Sequence, residues 1–88
     1  TYALSDQMRR AAVSIPSNIA EGHSINSTKE YIQFIAIAQG STSELETQLL
    51  ICERLNYYSY EQVKQAFSLT DEVGKMLSAL KRSLAPNP

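Results

Sequence analysis

The chain has 88 residues and a formal net charge of −1, so it is read as one domain of limited core with no global basic field of the kind that steers nucleic-acid binders. Its single cysteine, Cys52, and single histidine, His23, exclude an intrachain disulfide and a metal site built from several thiolates or imidazoles of one chain, and fit a reducing cytoplasm. No apolar run approaches the roughly 20 residues of a membrane span, and no signal peptide is visible. The chain opens at Thr1 almost inside a helical pattern, and a preceding segment is expected.

Three helices and no strands are predicted. In the first, Leu4, Met8, Ala11/Ala12, Ile15 and Ile19 recur at three- and four-residue spacing. Ser5 is an acceptable N-cap, with Asp6 favouring the positive helix start. Pro16 removes the hydrogen bond to the Ala12 carbonyl, which predicts a kink. Because the periodicity continues past it, the helix is placed over 4–21, with Gly22 as the terminating C′ residue. The rival is a stop near Ile15 and a new short turn from Pro16.

After the polar loop 23–26, Ser27 and Glu30 form a capping-box pattern that opens a helix over 28–55. That length, about 40 Å, exceeds a compact globule of this size, so an elongated bundle is expected. The helix carries two stripes. Tyr31, Phe34/Ile35, Ala38, Thr42, Leu45, Leu49, Cys52 and Leu55 form one; Ile32, Ala36, Gly40, Ser43, Thr47 and Leu50/Ile51 form the other. The second serves either a neighbouring helix or a subunit interface, with Gly40 permitting close approach. Ser59 and Gln62 form a second capping pattern, opening a helix over 60–84. Its apolar face is Val63, Ala66/Phe67, Leu69/Thr70, Val73, Leu77, Leu80 and Leu84, and Asp71 and Lys75 pair at i,i+4. Residues 85–88, with two prolines, are a tail.

The chemistry-bearing residues are few. Glu21 and Glu46 form an acid/base pair only if the fold brings them together, and seven glutamates make such pairs easy to find. No Gly-rich phosphate loop is present, and Cys52 lies on an apolar stripe. No catalytic, cofactor or metal residues are assigned. Along the first helix Arg10, Ser14, Ser17/Asn18 and Glu21 share a polar face, while Arg9 points about 100° away. Arg10 and Glu21 stand roughly 16 Å apart on the helix, so each needs another partner, with Glu44, Glu46 and Glu53 as candidates. Two readings stand: a salt-bridge network between helices or subunits, or an anion or phosphate contact through Arg9 and Arg10 with Lys29 nearby.

The string QMRRAAVSIPSNIAEG, followed by STKEYIQFIAIAQGSTSELETQL, resembles the 23S rRNA intervening-sequence proteins over nearly the whole chain. The resemblance implies a four-helix up-and-down antiparallel bundle, a ring-like homopentamer and no enzymatic activity. A similar fold occurs in the strongly basic, nucleic-acid-binding accessory protein of diversity-generating retroelements, whose charge this chain lacks. The matched signature positions are Arg9, Arg10, Ser14, Pro16, Asn18, Glu21 and Gly22, with Gly40 and Glu46 as further structural or interface positions. The three helices correspond to the second to fourth of the family bundle, the first being absent here. The expected protein is thus a cytoplasmic, self-assembling scaffold without cofactor or small-molecule substrate, with RNA association as a further expectation. A direct nucleic-acid-binding module is the alternative, and a pocket around Glu21 and Glu46 the third reading.

Overall fold

The computed structural model describes residues 2–85. The tail reading for Pro86, Asn87 and Pro88 lies outside the described residues. Three helices account for nearly all of the rest: α1, Tyr2–Ser24; α2, Thr28–Arg54; and α3, Tyr60–Leu84. They form an antiparallel bundle whose extents are 45 × 23 × 14 Å, an elongated plate as the length of α2 required. α2 is the middle member. α1 packs on one of its flanks and α3 on the other, and among the described residues no Cα of α1 comes within 8 Å of one in α3.

The core follows from that order. Ile15, Ile35, Ala38 and Leu77 are its buried centre, with Ile19, Tyr31, Leu45, Val73, Leu80 and Leu84 packed around them. Ile35 and Ala38 are fully buried because side chains from both outer helices close over the middle one. Thr42 sits on the same face, its hydroxyl donating to the Ala38 carbonyl at 2.9 Å, so burial leaves no orphaned donor there. The first predicted stripe of α2 is therefore the core stripe, except that Leu55 at its end is exposed. The second is mostly open: Ala36, Gly40, Ser43, Thr47, Leu50 and Ile51 are exposed and only Ile32 is half-buried, with Ser43 and Leu50 lining clefts against α3.

Two boundary expectations are corrected, and the continuation of α1 past Pro16 holds. α1 already begins at Tyr2, so Ser5 is an internal residue and not the N-cap. It also runs unbroken through Pro16, which excludes a stop at Ile15. Pro16 and Ala12 both lie on exposed surface, where water replaces the bond that Ala12 cannot make to a proline. Gly22, finally, does not end the helix; it is helical, buried and without positive φ. A β-carbon there would stand 2.7 Å from Phe34 Cβ and 2.9 Å from Tyr31 Cδ1. The glycine is required by the approach of α2, not by a turn.

The caps hold with one amendment. Ser27 accepts from the Glu30 amide at 3.3 Å, but the Glu30 side chain makes no return bond, so this is a single cap. Ser59 and Gln62 form the full reciprocal box. α2 ends at Arg54 through a signal that composition alone hid. Asn56 takes φ 57°, its amide bonds to the Glu53 carbonyl, and the Tyr57 amide bonds to the Cys52 carbonyl. This is the left-handed C-terminal motif in which asparagine substitutes for glycine.

Candidate functional site

Asp6, one turn before the arginine pair, organises the polar end of α1. Arg9 Nη2 donates to Asp6 Oδ1 at 2.6 Å, and Arg10 Nε lies 3.0 Å from Asp6 Oδ2. The hydrogen bond from Arg9, and then the charge of Arg10, hold the Asp6 carboxyl below the usual aspartate range. This corrects the expectation that Glu44, Glu46 or Glu53 would neutralise Arg10. The i,i+3 and i,i+4 spacing of Asp6 to the two arginines was the signal available in the sequence. Two guanidiniums on one carboxylate leave one net positive charge. Both arginine side chains stay open to solvent, at 69% and 75% exposure.

Of the remaining signature residues, Ser14, Asn18 and Gly22 lie at the α1–α2 seam, whereas Pro16 and Glu21 are exposed. Ser14 and Ser41 hydroxyls meet at 2.8 Å, and the Asn18 amide donates to the Ser14 carbonyl and hydroxyl at 2.8 and 2.9 Å. One turn of α1 is thus tied into the α1–α2 seam by polar side chains. Met8 Sδ and Cys52 Sγ meet at 3.5 Å further along that seam, where Cys52 is 1% exposed and packs as a core thiol. His23 sets its ring edge-on to Tyr31 at 5.8 Å. One buried polar atom among the described residues is unmatched: Gln48 Nε2 donates to Glu44 at 3.2 Å, but Gln48 Oε1 has no partner.

The remaining candidates are dispersed. Ser14–Ser41 and Met8–Cys52 fix the antiparallel register of α1 on α2. That register puts Lys29, at the start of α2, roughly 25 Å along the axis from Arg9 and Arg10. Lys29 instead lies beside Ile32, Gln33 and Leu84 at the other end of the bundle. Glu21 is exposed on α1, whereas Glu46 lines a polar cleft of about 360 Å³ between α2 and α3, with Gln39, Asp71, Lys75, Ser78 and Arg82. The two glutamates are roughly 15 Å apart along the axis and on different flanks of α2, so no acid/base couple exists there. Among the described residues no cluster of three or more His, Cys, Asp or Glu side chains could hold a metal ion. No helix among them is long and apolar enough to cross a membrane.

What the geometry offers instead is apolar surface. On α2, Ile37, Leu50, Ile51 and Leu55 are 42–52% exposed. Ile37 stands one turn from Gly40, where a β-carbon would meet nothing within 4 Å, and the other three cluster roughly 15–22 Å further along the helix. On α3, Leu69 and Met76 are 62% and 63% exposed and by helical spacing share a flank with half-buried Val73 and Leu80, beside the trough left because α1 and α3 do not meet. Tyr57, Tyr58 and Tyr60 are exposed at the α2–α3 end, a cluster that reading the segment as a mere connection overlooked.

A family model described as 23S rRNA-intervening sequence protein matches residues 1–79. The chain belongs to that family. Its fold is also similar to a crystal structure from Bacteroides thetaiotaomicron VPI-5482, described as a protein of unknown function from the S23 ribosomal protein family. The TM-score is 0.89 at 27% identity, covering 92% of this chain and 75% of that one. Neither description names a catalytic activity. No curated protein matches the chain. Helical fold and family thus agree with the expectation drawn from RRAAVSIPSNIAEG. Within this family member the signature residues Ser14, Asn18 and Gly22 serve the α1–α2 seam.

Proposed function

We infer that this protein is a non-enzymatic scaffold that self-assembles from helical bundles, working in the bacterial cytoplasm. The observation that carries the reading is the exposed face of α2. Leu50, Ile51 and Leu55 form an exposed apolar cluster near the end of the longest helix, with Leu50 on its α3 flank, and Ile37 is a further exposed apolar side chain about 20 Å away beside Gly40. Surfaces of this kind mark association sites, and Gly40 leaves room for another backbone. The family resemblance supports a copy number of five, and a further helix that closes the α1–α3 trough into a four-helix bundle. Size-exclusion chromatography with light scattering tests it: a homo-oligomer, expected as a pentamer, supports the reading. A monomer at micromolar concentration overturns it.

RNA association belongs to this reading as a property of the assembly, supported by the family's tie to 23S rRNA inserts. A direct nucleic-acid module in one chain is disfavoured by charge. Asp6 cancels half of the arginine pair, and Lys29 is too distant to extend the patch. Such a patch reaches one or two phosphates, so log K against log salt would have a slope no steeper than about −2. A slope several times steeper, lost in the Arg9→Ala/Arg10→Ala variant, would reverse that ranking.

A further inference from the structure

The self-assembly reading leaves open which surface meets which, and an imbalance of charge across the plate answers it. On α1, Arg9 and Val13 lie one turn apart on the side turned away from α2. Val13 is 54% exposed, and Arg9 shares its only carboxylate among the described residues with Arg10. On the opposite margin, α2 and α3 enclose a pocket of about 460 Å³ with an apolar lining of Leu50, Val63, Phe67 and Tyr60. Its rim carries Glu53 and Asp71. Asp71 is matched by Lys75 at 3.2 Å, and the pocket's own cation, Lys64, is drawn over the Tyr60 ring at 5.9 Å. Glu53 is half-buried, and its carboxylate has no hydrogen bond or ion pair among the described residues. One margin therefore has an apolar knob beside an exposed guanidinium whose one carboxylate serves two arginines, and the other an apolar hollow beside an unmatched carboxylate.

We propose that the Arg9–Val13 face of α1 in one copy seats in the α2–α3 pocket of the next, with Val13 entering between Leu50 and Phe67 and Arg9 reaching Glu53. The occupant is a second copy of this chain because the complementary features are both present and lie on opposite flanks of α2, where one protomer cannot join them. The contact is head-to-tail. Such a contact generates a closed ring if the rotation closes, and an open filament otherwise. The arrangement also gives the arginine pair a role that does not involve nucleic acid.

The test uses two pairs of variants in the whole protein. Arg9→Glu and Glu53→Arg singly should each weaken assembly by at least ~30-fold, since each places like charges across a contact, and the double variant should recover most of that loss. Val13→Cys combined with Leu50→Cys should give, on mild oxidation, a disulfide ladder reaching the size of the oligomer. The wild-type chain should give none, because Cys52 is buried. A wild-type monomer overturns both this proposal and the self-assembly reading beneath it. An intact oligomer with no recovery in Arg9→Glu/Glu53→Arg and no ladder in Val13→Cys/Leu50→Cys overturns the proposed contact alone and leaves self-assembly standing.

Discussion

Two of the helical glycines make a matched pair of opposite sign. Replacing glycine by alanine inside a helix gains about 0.5–1 kcal/mol when the methyl group meets no obstacle, because the unfolded chain loses freedom. At Gly40 nothing lies within 4 Å of the added carbon, so Gly40→Ala should gain that amount in the isolated protomer. At Gly22 the same carbon would stand 2.7 Å from Phe34 Cβ, about 0.7 Å inside the 3.4 Å at which ordinary contact begins. Phe34 Cβ is fixed to the α2 backbone and cannot rotate away, so relief requires α1 and α2 to separate locally. Overpacking of this kind costs about 1–3 kcal/mol, and the seam also carries the Ser14–Ser41 bond, which the separation would stretch. After the propensity gain is offset, Gly22→Ala should lose roughly 1–2 kcal/mol. Urea unfolding followed by circular dichroism, at protein concentrations low enough to suppress association, reads both variants. Equal or greater stability for Gly22→Ala would refute the argument that helix approach, not chain reversal, explains this residue.

Other substitutions probe single interactions. Gln48→Met removes the buried, unpartnered Gln48 Oε1 at nearly constant shape and should raise the urea midpoint, by about 1 kcal/mol in stability. Ser59→Ala deletes the side-chain half of the reciprocal cap on α3 and should cost about 1 kcal/mol; no change would mean the α3 start is held by packing alone. The depressed carboxyl of Asp6 contributes stability that is present above the ordinary aspartate range and is lost as pH falls through its lowered folded value. Acid titration of Asp6→Asn against wild type should therefore show a shallower acid limb, and superimposable curves would remove Asp6 from the account.

The parts legible in the sequence were those encoded by local spacing. Helical periodicity located α2 and α3 within a residue, Ser27 and Ser59 marked their starts, and Asp71 and Lys75 pair at 3.2 Å as their i,i+4 spacing required. Other features were hidden where a residue's reason lies on another helix. Gly22 near the end of an apolar pattern reads as a stop by intrinsic preference, whereas its cause is Phe34 and Tyr31 across the seam. Both stripes of α2 have helical spacing, so periodicity could not say that Ile35 and Ala38 would be core while Gly40 and Ile51 would stay outside. Asp6 was legible by spacing to Arg9 and Arg10, but its usefulness at a helix start masked the pairing. For the candidate site, sequence supplied the arginines, but only the fold shows that Val13 is exposed beside Arg9 and that Glu53 and Phe67 converge on one pocket.

The trough between α1 and α3 allows the bundle's completeness to be tested by stability. Leu69 and Met76 are more exposed than Ile51 on the outer face of α2, although they share the flank of Val73 and Leu80, which pack on the core. A leucine left in solvent contributes little, so on an open trough Leu69→Ala should change stability by no more than about 0.5 kcal/mol. Under another helix, the same side chain is part of the core, and its truncation should cost about 2–4 kcal/mol through lost transfer energy and a residual cavity. The four-helix reading requires the larger value in the whole protein, together with a Met76→Ala loss of similar size. Ile37→Ala on the outer face of α2 separates the two surfaces: its effect should grow with assembly and fade on dilution, whereas the Leu69 effect should persist in the protomer. A Leu69→Ala loss that vanishes on dilution would place the trough between subunits and would refute the four-helix reading.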